Sequence, residues 1–174
     1  MKQILSVILI VISIFAINAS TYKMSNTGYE YIKGYESCSL KKYKDSKGYS
    51  IGWGHFIKPG ESYTKITQKE ADNLFIKDIQ WVNSAINRLL KPIKGAKFSQ
   101  NFIDGLGDLI YNCGEAGVKN SVFYKRLLAC RVDKKTGKIN QNDFNFTVAA
   151  VKNTHVYEPG HKTRRYNCHL LMLK

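Results

Sequence analysis

Glu36 and Asp45 stand nine positions apart, the glutamate at the end of a short helical stretch and the aspartate at the start of a glycine-rich hairpin. Two carboxylates in unlike surroundings are what glycosidic cleavage requires. One, protonated, serves the leaving oxygen, and the other activates water or stabilises an oxocarbenium-like sugar. Apolar burial keeps one carboxyl of such a pair protonated, while an open polar loop leaves its partner ionised. Spacing alone does not select this chemistry, because most such pairs are two solvated surface charges. Metal chemistry is not expected: no two of Cys38, Cys113, Cys130 and Cys168 have ligand spacing, and His55, His155, His161 and His169 are scattered. No cofactor is implied.

The elements that position the pair follow from the residue pattern. Ser25-Asn26-Thr27 supplies N-cap chemistry for a short helix ending near Glu36. Residues 42–57 interleave Tyr43, Tyr49, Ile51, Trp53 and Phe56 with Gly48, Gly52 and Gly54, which predicts short strands and tight turns. Thr67 and Glu70 form a capping box, and Ala71, Leu74, Phe75, Ile79, Val82, Ile86 and Leu89 follow at helical spacing until Lys91-Pro92. That long helix is read as a strut between two lobes. Further helices are expected from Ser99 to Gly114, from Ser121, after Asn142 and after Gly160, with a polar loop over 133–142. The fold class is α+β, dominated by helix.

The run Tyr35-Glu36-Ser37-Cys38-Ser39-Leu40, then Tyr43-Lys44-Asp45-Ser46-Lys47-Gly48, then Ser50-Ile51-Gly52-Trp53-Gly54-His55 resembles the phage-type lysozyme (endolysin) family, glycoside hydrolase family 24. Pro59-Gly60, Thr67-Glu70-Ala71, Asn112-x-Gly114 and Gly160 with Arg164-Arg165 match later family signatures in order, so the likeness covers roughly residues 28–173. The resemblance implies a lysozyme-like fold, with a small β-hairpin lobe joined by a long helix to a mainly helical lobe. It implies Glu36 as general acid, Asp45 as second catalytic carboxylate, and Ser50 where the family has a threonine that holds water. The Asp45-to-Ser50 spacing is one residue shorter than the usual family spacing. His161 and Cys168 replace a leucine and a glutamate of the C-terminal signature, and a tryptophan before the last loop is absent, with Val151 nearby.

Several residues carry two readings. Trp53 stacks on a sugar, or is a strand aromatic sharing a core face with Ile51 and His55. Asn112 reaches substrate, or caps its own helix. His55 looks like a general base, but the resemblance implies that it ties the hairpin to the body. Arg164-Arg165 form a solvated basic edge or salt bridges within the fold. The other histidines read as surface residues.

Composition sets the compartment and the partners. Lys2 followed by the apolar run Ile4 to Ile17 and Ala19 reads as a signal peptide or signal anchor over 1–20, leaving a domain over 21–174. An apolar fraction of 44% is that of a packed chain rather than a disordered one. The net charge of +14 attracts polyanions, and export favours the bacterial wall over nucleic acid. In an oxidising compartment the four cysteines read as one or two disulfides, or as buried free thiols. The expected substrate is therefore the glycan strand of peptidoglycan, cut between N-acetylmuramic acid and N-acetylglucosamine by a monomer with no stable protein partner. Two other readings compete: a non-catalytic wall-binding module on a lysozyme scaffold, and a cationic membrane-active protein.

Overall fold

The computed structural model describes residues 21–45, 48–156 and 159–174; the expected export segment over 1–20 lies outside them. Helix α1 (Asn26–Lys33) leads to an antiparallel sheet of β1 (Ser39–Asp45), β2 (Gly48–Gly52) and β3 (His55–Phe56), in the order β1-β2-β3. Five helices follow: α2 (Gln68–Leu90), α3 (Gln100–Lys119), α4 (Val122–Leu128), α5 (Gln141–Ala149) and α6 (Pro159–Leu173), with a 3-10 turn over Ala150–Asn153 before α6. No helix among the described residues is long and apolar enough to cross a membrane.

The starts of these helices are where cap chemistry places them. Ser25, Thr67, Ser99 and Ser121 each accept a backbone N–H of their first turn, and Thr67 and Glu70 form the reciprocal box. The ends depart from expectation in two places. Helix α1 stops at Lys33, because Gly34 closes it, and Glu36 sits just beyond with its N–H on the Ile32 carbonyl at 3.2 Å. Gly114 kinks α3 rather than ending it: its φ of +74° breaks the ladder, and the helix resumes to Lys119.

Two apolar clusters fill the molecule. A small one holds Ile51, Ile66, Ala71 and Leu74, backed by Cys38, Leu40, Ile57 and Tyr63. The large one spans α1 to α6 and centres on Phe75, Ile79, Phe102, Leu106, Ile110 and Phe123. Helix α2 contributes Ala71 and Leu74 to the first cluster and Phe75 onward to the second. With 23 residues it runs about 34 Å, so one helix carries both cores. The four cysteines are free thiols, with Cys168 fully buried beside the Gly105 carbonyl.

Helix α1 is bound to α3 through Asp104, whose carboxylate accepts from the Ser25 N–H at 2.8 Å, the Ser25 hydroxyl at 2.5 Å and Gln100 at 3.0 Å. Gly28 makes this approach possible, since a methyl group there would lie 2.6 Å from the Asp104 carboxyl. Gly28→Ala is expected to cost about 1–3 kcal/mol in urea unfolding. Gly34→Ala, at φ −63° with its nearest neighbour 3.4 Å away, should be neutral or slightly stabilising. Equal effects at the two glycines would show that the α1–α3 approach is not the constraint.

At the other end of the body, Arg131 grips Asp143 at the start of α5 through its guanidinium and its backbone N–H. These bonds pull the Asp143 carboxyl down to about 2. A folded-state value below the unfolded one means that the contact stabilises above the ordinary carboxylate range and is lost as pH falls toward 2. Carboxyl NMR should give a midpoint near 2 for Asp143, rising in Arg131→Gln; a midpoint already near 4 in the parent would contradict the pairing.

Candidate active site

Glu36 is placed by the turn that closes α1 and held by a side chain arriving from α6. Arg164 donates through Nη1 to Glu36 Oε1 at 2.7 Å, and through Nε to Asp108 Oδ1 at 2.9 Å. Its Nη2 also approaches Asp108 Oδ1 to 2.7 Å, but off the hydrogen-bond direction. Asp108 is fully buried in α3, and Arg165, equally buried, stands 3.8 Å from its other oxygen. Burial works against the charge on Arg164, yet Asp108 and Glu36 outweigh it and raise its pKa. Tyr35 lies 5.2 Å beneath the same guanidinium and takes a hydrogen bond from Asn167 on its hydroxyl.

With Oε1 occupied, Oε2 of Glu36 lies toward the hairpin turn. A methyl group added at Gly54 would sit 3.7 Å from Oε2 and 3.8 Å from the Tyr111 hydroxyl, and Gly54 has φ +91°. Tyr111, from α3, donates to the Trp53 carbonyl at 2.6 Å. This bond pins the hairpin turn to the helical body beside Glu36. Burial first, then the Glu36 and Asp78 charges, push the Tyr111 phenol well above its ordinary pKa, so it stays a donor.

Asp45 is exposed at the end of β1, and Ser50, fully buried on β2, donates to its Oδ2 at 3.1 Å. The sheet register explains the meeting: Tyr43 pairs with Ser50 and Asp45 with Gly48. The short Asp-to-hydroxyl spacing therefore leaves the two side chains in contact. Burial, followed by the charges of Asp45 and Glu36, raises the pKa of the Tyr43 phenol. The register and the Ser50–Asp45 bond thus bring Asp45, Ser50 and Tyr43 together at one place on the hairpin.

The other sequence candidates have structural partners. Trp53 is a hairpin-turn residue rather than a strand residue alternating with Ile51 and His55, because β2 ends at Gly52. Its indole N–H donates to Asp72 at 2.8 Å, Lys33 lies 5.3 Å over its ring, and it packs against both clusters. Asn112 accepts a close hydrogen bond from Arg165, which also donates to the Thr154 carbonyl. His55 is buried between Asp78 on α2, at 2.9 Å, and Glu61, at 3.1 Å, and so ties hairpin, loop and helix together. His155 and His169 are half-buried against the carbonyls of Gly117 and Val148, and His161 is half-buried too, so none is simply a surface residue.

Arg164, Asp108 and Tyr111 are the members that residue spacing did not single out as part of the site. A signal existed: Asp104 and Asp108 interrupt the apolar run Phe102–Ile110, and carboxylates on a buried helix face require donors or cations. Among the described residues no group of three or more His, Cys, Asp or Glu is arranged to hold a metal ion. A concavity of about 920 Å³ near Tyr22, Asn83, Asn87 and Phe98 is lined by apolar side chains, amides and lysines without a carboxylate, so acid catalysis has no donor there.

The phage lysozyme family profile matches residues 33–166. The endolysin of Salmonella phage P22 is 34% identical over 110 residues, which cover 60% of this chain and 73% of that protein. The endolysin of Bacillus phage PZA is 31% identical over 102 residues, covering 57% of this chain and 38% of that protein. The chain spans only about two fifths of the length of the first curated relatives it matches. Among solved structures, a P22 lysozyme superposes with TM-score 0.68 at 25% identity, covering 88% of this chain and 99% of that one. The muramidase domain of SpmX from Asticaccaulis excentricus shares the fold, with TM-score 0.71 at 22% identity over 88% of this chain and 99% of that one.

Replacing Arg164 by methionine leaves Asp108 buried beside a cation 3.8 Å away and removes the donor to Glu36. Unfolding in urea should show a loss of about 3–5 kcal/mol. A loss below about 1 kcal/mol would mean that the pair does not hold α6 to α3.

Proposed function

The chain belongs to the phage lysozyme family, and on that premise we propose that it is a muramidase cutting the β-1,4 bond between N-acetylmuramic acid and N-acetylglucosamine in peptidoglycan. The observation that carries this reading is the anchored Glu36: Arg164 occupies Oε1 and Oε2 lies toward the Gly54 turn, while Asp45 is held by Ser50 on the hairpin. Glu36 donates its proton from Oε2 to the leaving glycosidic oxygen. Asp45 stabilises the oxocarbenium-like sugar or activates the attacking water, and the Ser50 hydroxyl orients that carboxylate and the water. General acid catalysis of this kind contributes roughly 10²–10⁴ in rate, and fixed positioning of the pair supplies much of the remainder.

The same reading assigns residues 1–20 to export, as a cleaved signal or a retained anchor, and 21–174 to the catalytic domain. The excess of Lys and Arg over Asp and Glu, 27 against 13, concentrates the enzyme on an anionic wall. It acts as a monomer without cofactor or metal, and nucleic acid is not its partner. Trp53 and Asn112 contribute to substrate binding through whatever surface Asp72, Lys33 and Arg165 leave to them.

The test is digestion of purified peptidoglycan by the parent chain and by Glu36→Gln, with new reducing sugar ends counted. The parent should generate ends, and the variant should fall at least about 100-fold while still sedimenting with the wall. Parental rates in the variant would remove Glu36 from the mechanism. Wall binding with no new ends from either protein would make the chain a binding module.

A further inference from the structure

We propose that the lysine-rich β1 ribbon, which runs up to the glycan site at Asp45, is a binding surface for a linear phosphodiester polymer of the bacterial wall. The choice of a wall polymer rests on the muramidase reading; the surface itself rests on the geometry of β1 and the strands beside it.

Strand β1 is exposed at every residue from Lys41 to Asp45, so it projects as a ribbon open on both faces. On one side it runs against residues 64–66. Lys42 N donates to the Thr64 carbonyl at 3.0 Å, Ile66 N donates to the Leu40 carbonyl at 2.9 Å, and Lys41 and Lys65 are bridge partners. Those flanking bonds make Lys41 and Lys65 a non-hydrogen-bonded pair, the closer of the two antiparallel relations. Like charges set directly opposite one another destabilise a sheet. No carboxylate forms an ion pair with Lys41, Lys42, Lys44 or Lys65 among the described residues. A cationic pair that has no ion-paired carboxylate among the described residues is relieved by an external anion.

The rest of the ribbon points to the form of that anion. Lys44 is the cross-strand partner of Tyr49, and Lys42 Nζ lies 4.9 Å over the half-exposed Tyr49 ring. Alternate strand residues repeat at roughly 7 Å, which is about the extended repeat of a chain with three carbons between phosphodiesters. A flat lipid surface meets one face of a ribbon, whereas a flexible chain contacts both. The strand ends at Asp45, so a polymer lying along it would hold the enzyme with its hairpin against the wall.

Binding is measured on the full chain carrying Glu36→Gln, so that no turnover occurs. The probes are soluble poly(glycerol phosphate) and, separately, phosphatidylglycerol vesicles. Lys41→Gln/Lys42→Gln/Lys65→Gln should weaken polymer binding at least about ten-fold and lower the log–log salt slope by about two. Its melting temperature should hold or rise as the Lys41–Lys65 repulsion is relieved. Lys125→Gln/Lys152→Gln/Lys162→Gln, an equal loss of exposed charge on the helical body, should change polymer binding less than about two-fold. Equal losses in the two triples would overturn the proposal in favour of diffuse charge. Vesicle binding that the ribbon variant abolishes, with no binding of the polymer, would overturn it in favour of a lipid face. Failure of the muramidase reading shows instead as purified peptidoglycan that gains no new reducing ends from the parent chain, a readout that these affinities do not touch.

Discussion

The buried ion pair between Arg164 of α6 and Asp108 of α3 is the interaction on which the rest of the molecule depends. Asp108 is fully inaccessible, and a carboxylate cannot remain charged in such a place without a cation and donors. Arg164 supplies both, and a guanidinium has enough donors to hold a second acid, Glu36, at the same time. One side chain therefore locks the C-terminal helix to the centre of the body and orients the residue proposed as proton donor. A lysine there would offer a point charge with no fork, and could not span both acids in fixed geometry.

Around that lock the two lobes meet through few but short contacts. The Tyr111 hydroxyl holds the Trp53 carbonyl, His55 stands between Asp78 and Glu61, and the Trp53 indole reaches Asp72. Each joins the hairpin or its trailing loop to a helix, and two of the three use α2, the helix that carries both apolar clusters. The small cluster has only four buried apolar side chains among the described residues, too few to fix the hairpin alone. The polar ties supply the precision that its apolar packing cannot, and precision is what the two carboxylates proposed as catalytic demand.

The sheet has a divided character that follows from its register. At its inner end, Ile51 and His55 are paired and buried; at its outer end, Lys44, Tyr49 and Asp45 are exposed. Ser50 lies between these regimes, buried itself yet bonded to an exposed carboxylate. That position suits a hydroxyl proposed to hold both a carboxylate and a water. It also explains why the outer ribbon can collect lysines: no core lies behind it to exclude charge.

Residue pattern alone determined the helix starts, because cap chemistry is local: Ser25, Thr67, Ser99 and Ser121 need only the next three residues to act. It determined the glycine-rich hairpin and the long apolar helix for the same reason, and the ordered motifs around Glu36 and Asp45 carried the family. Only the tertiary structure decided what Arg164, Asp108 and Tyr111 do, since their partners lie far away in the chain and charge type does not say which acid a given arginine will meet. It moved Trp53 from strand to turn and Gly114 from terminus to kink, because packing of later helices settles whether a break in the ladder ends an element. Local capping and periodicity are written in neighbouring residues, whereas the pairing of buried charges exists only once the helices that carry them have packed.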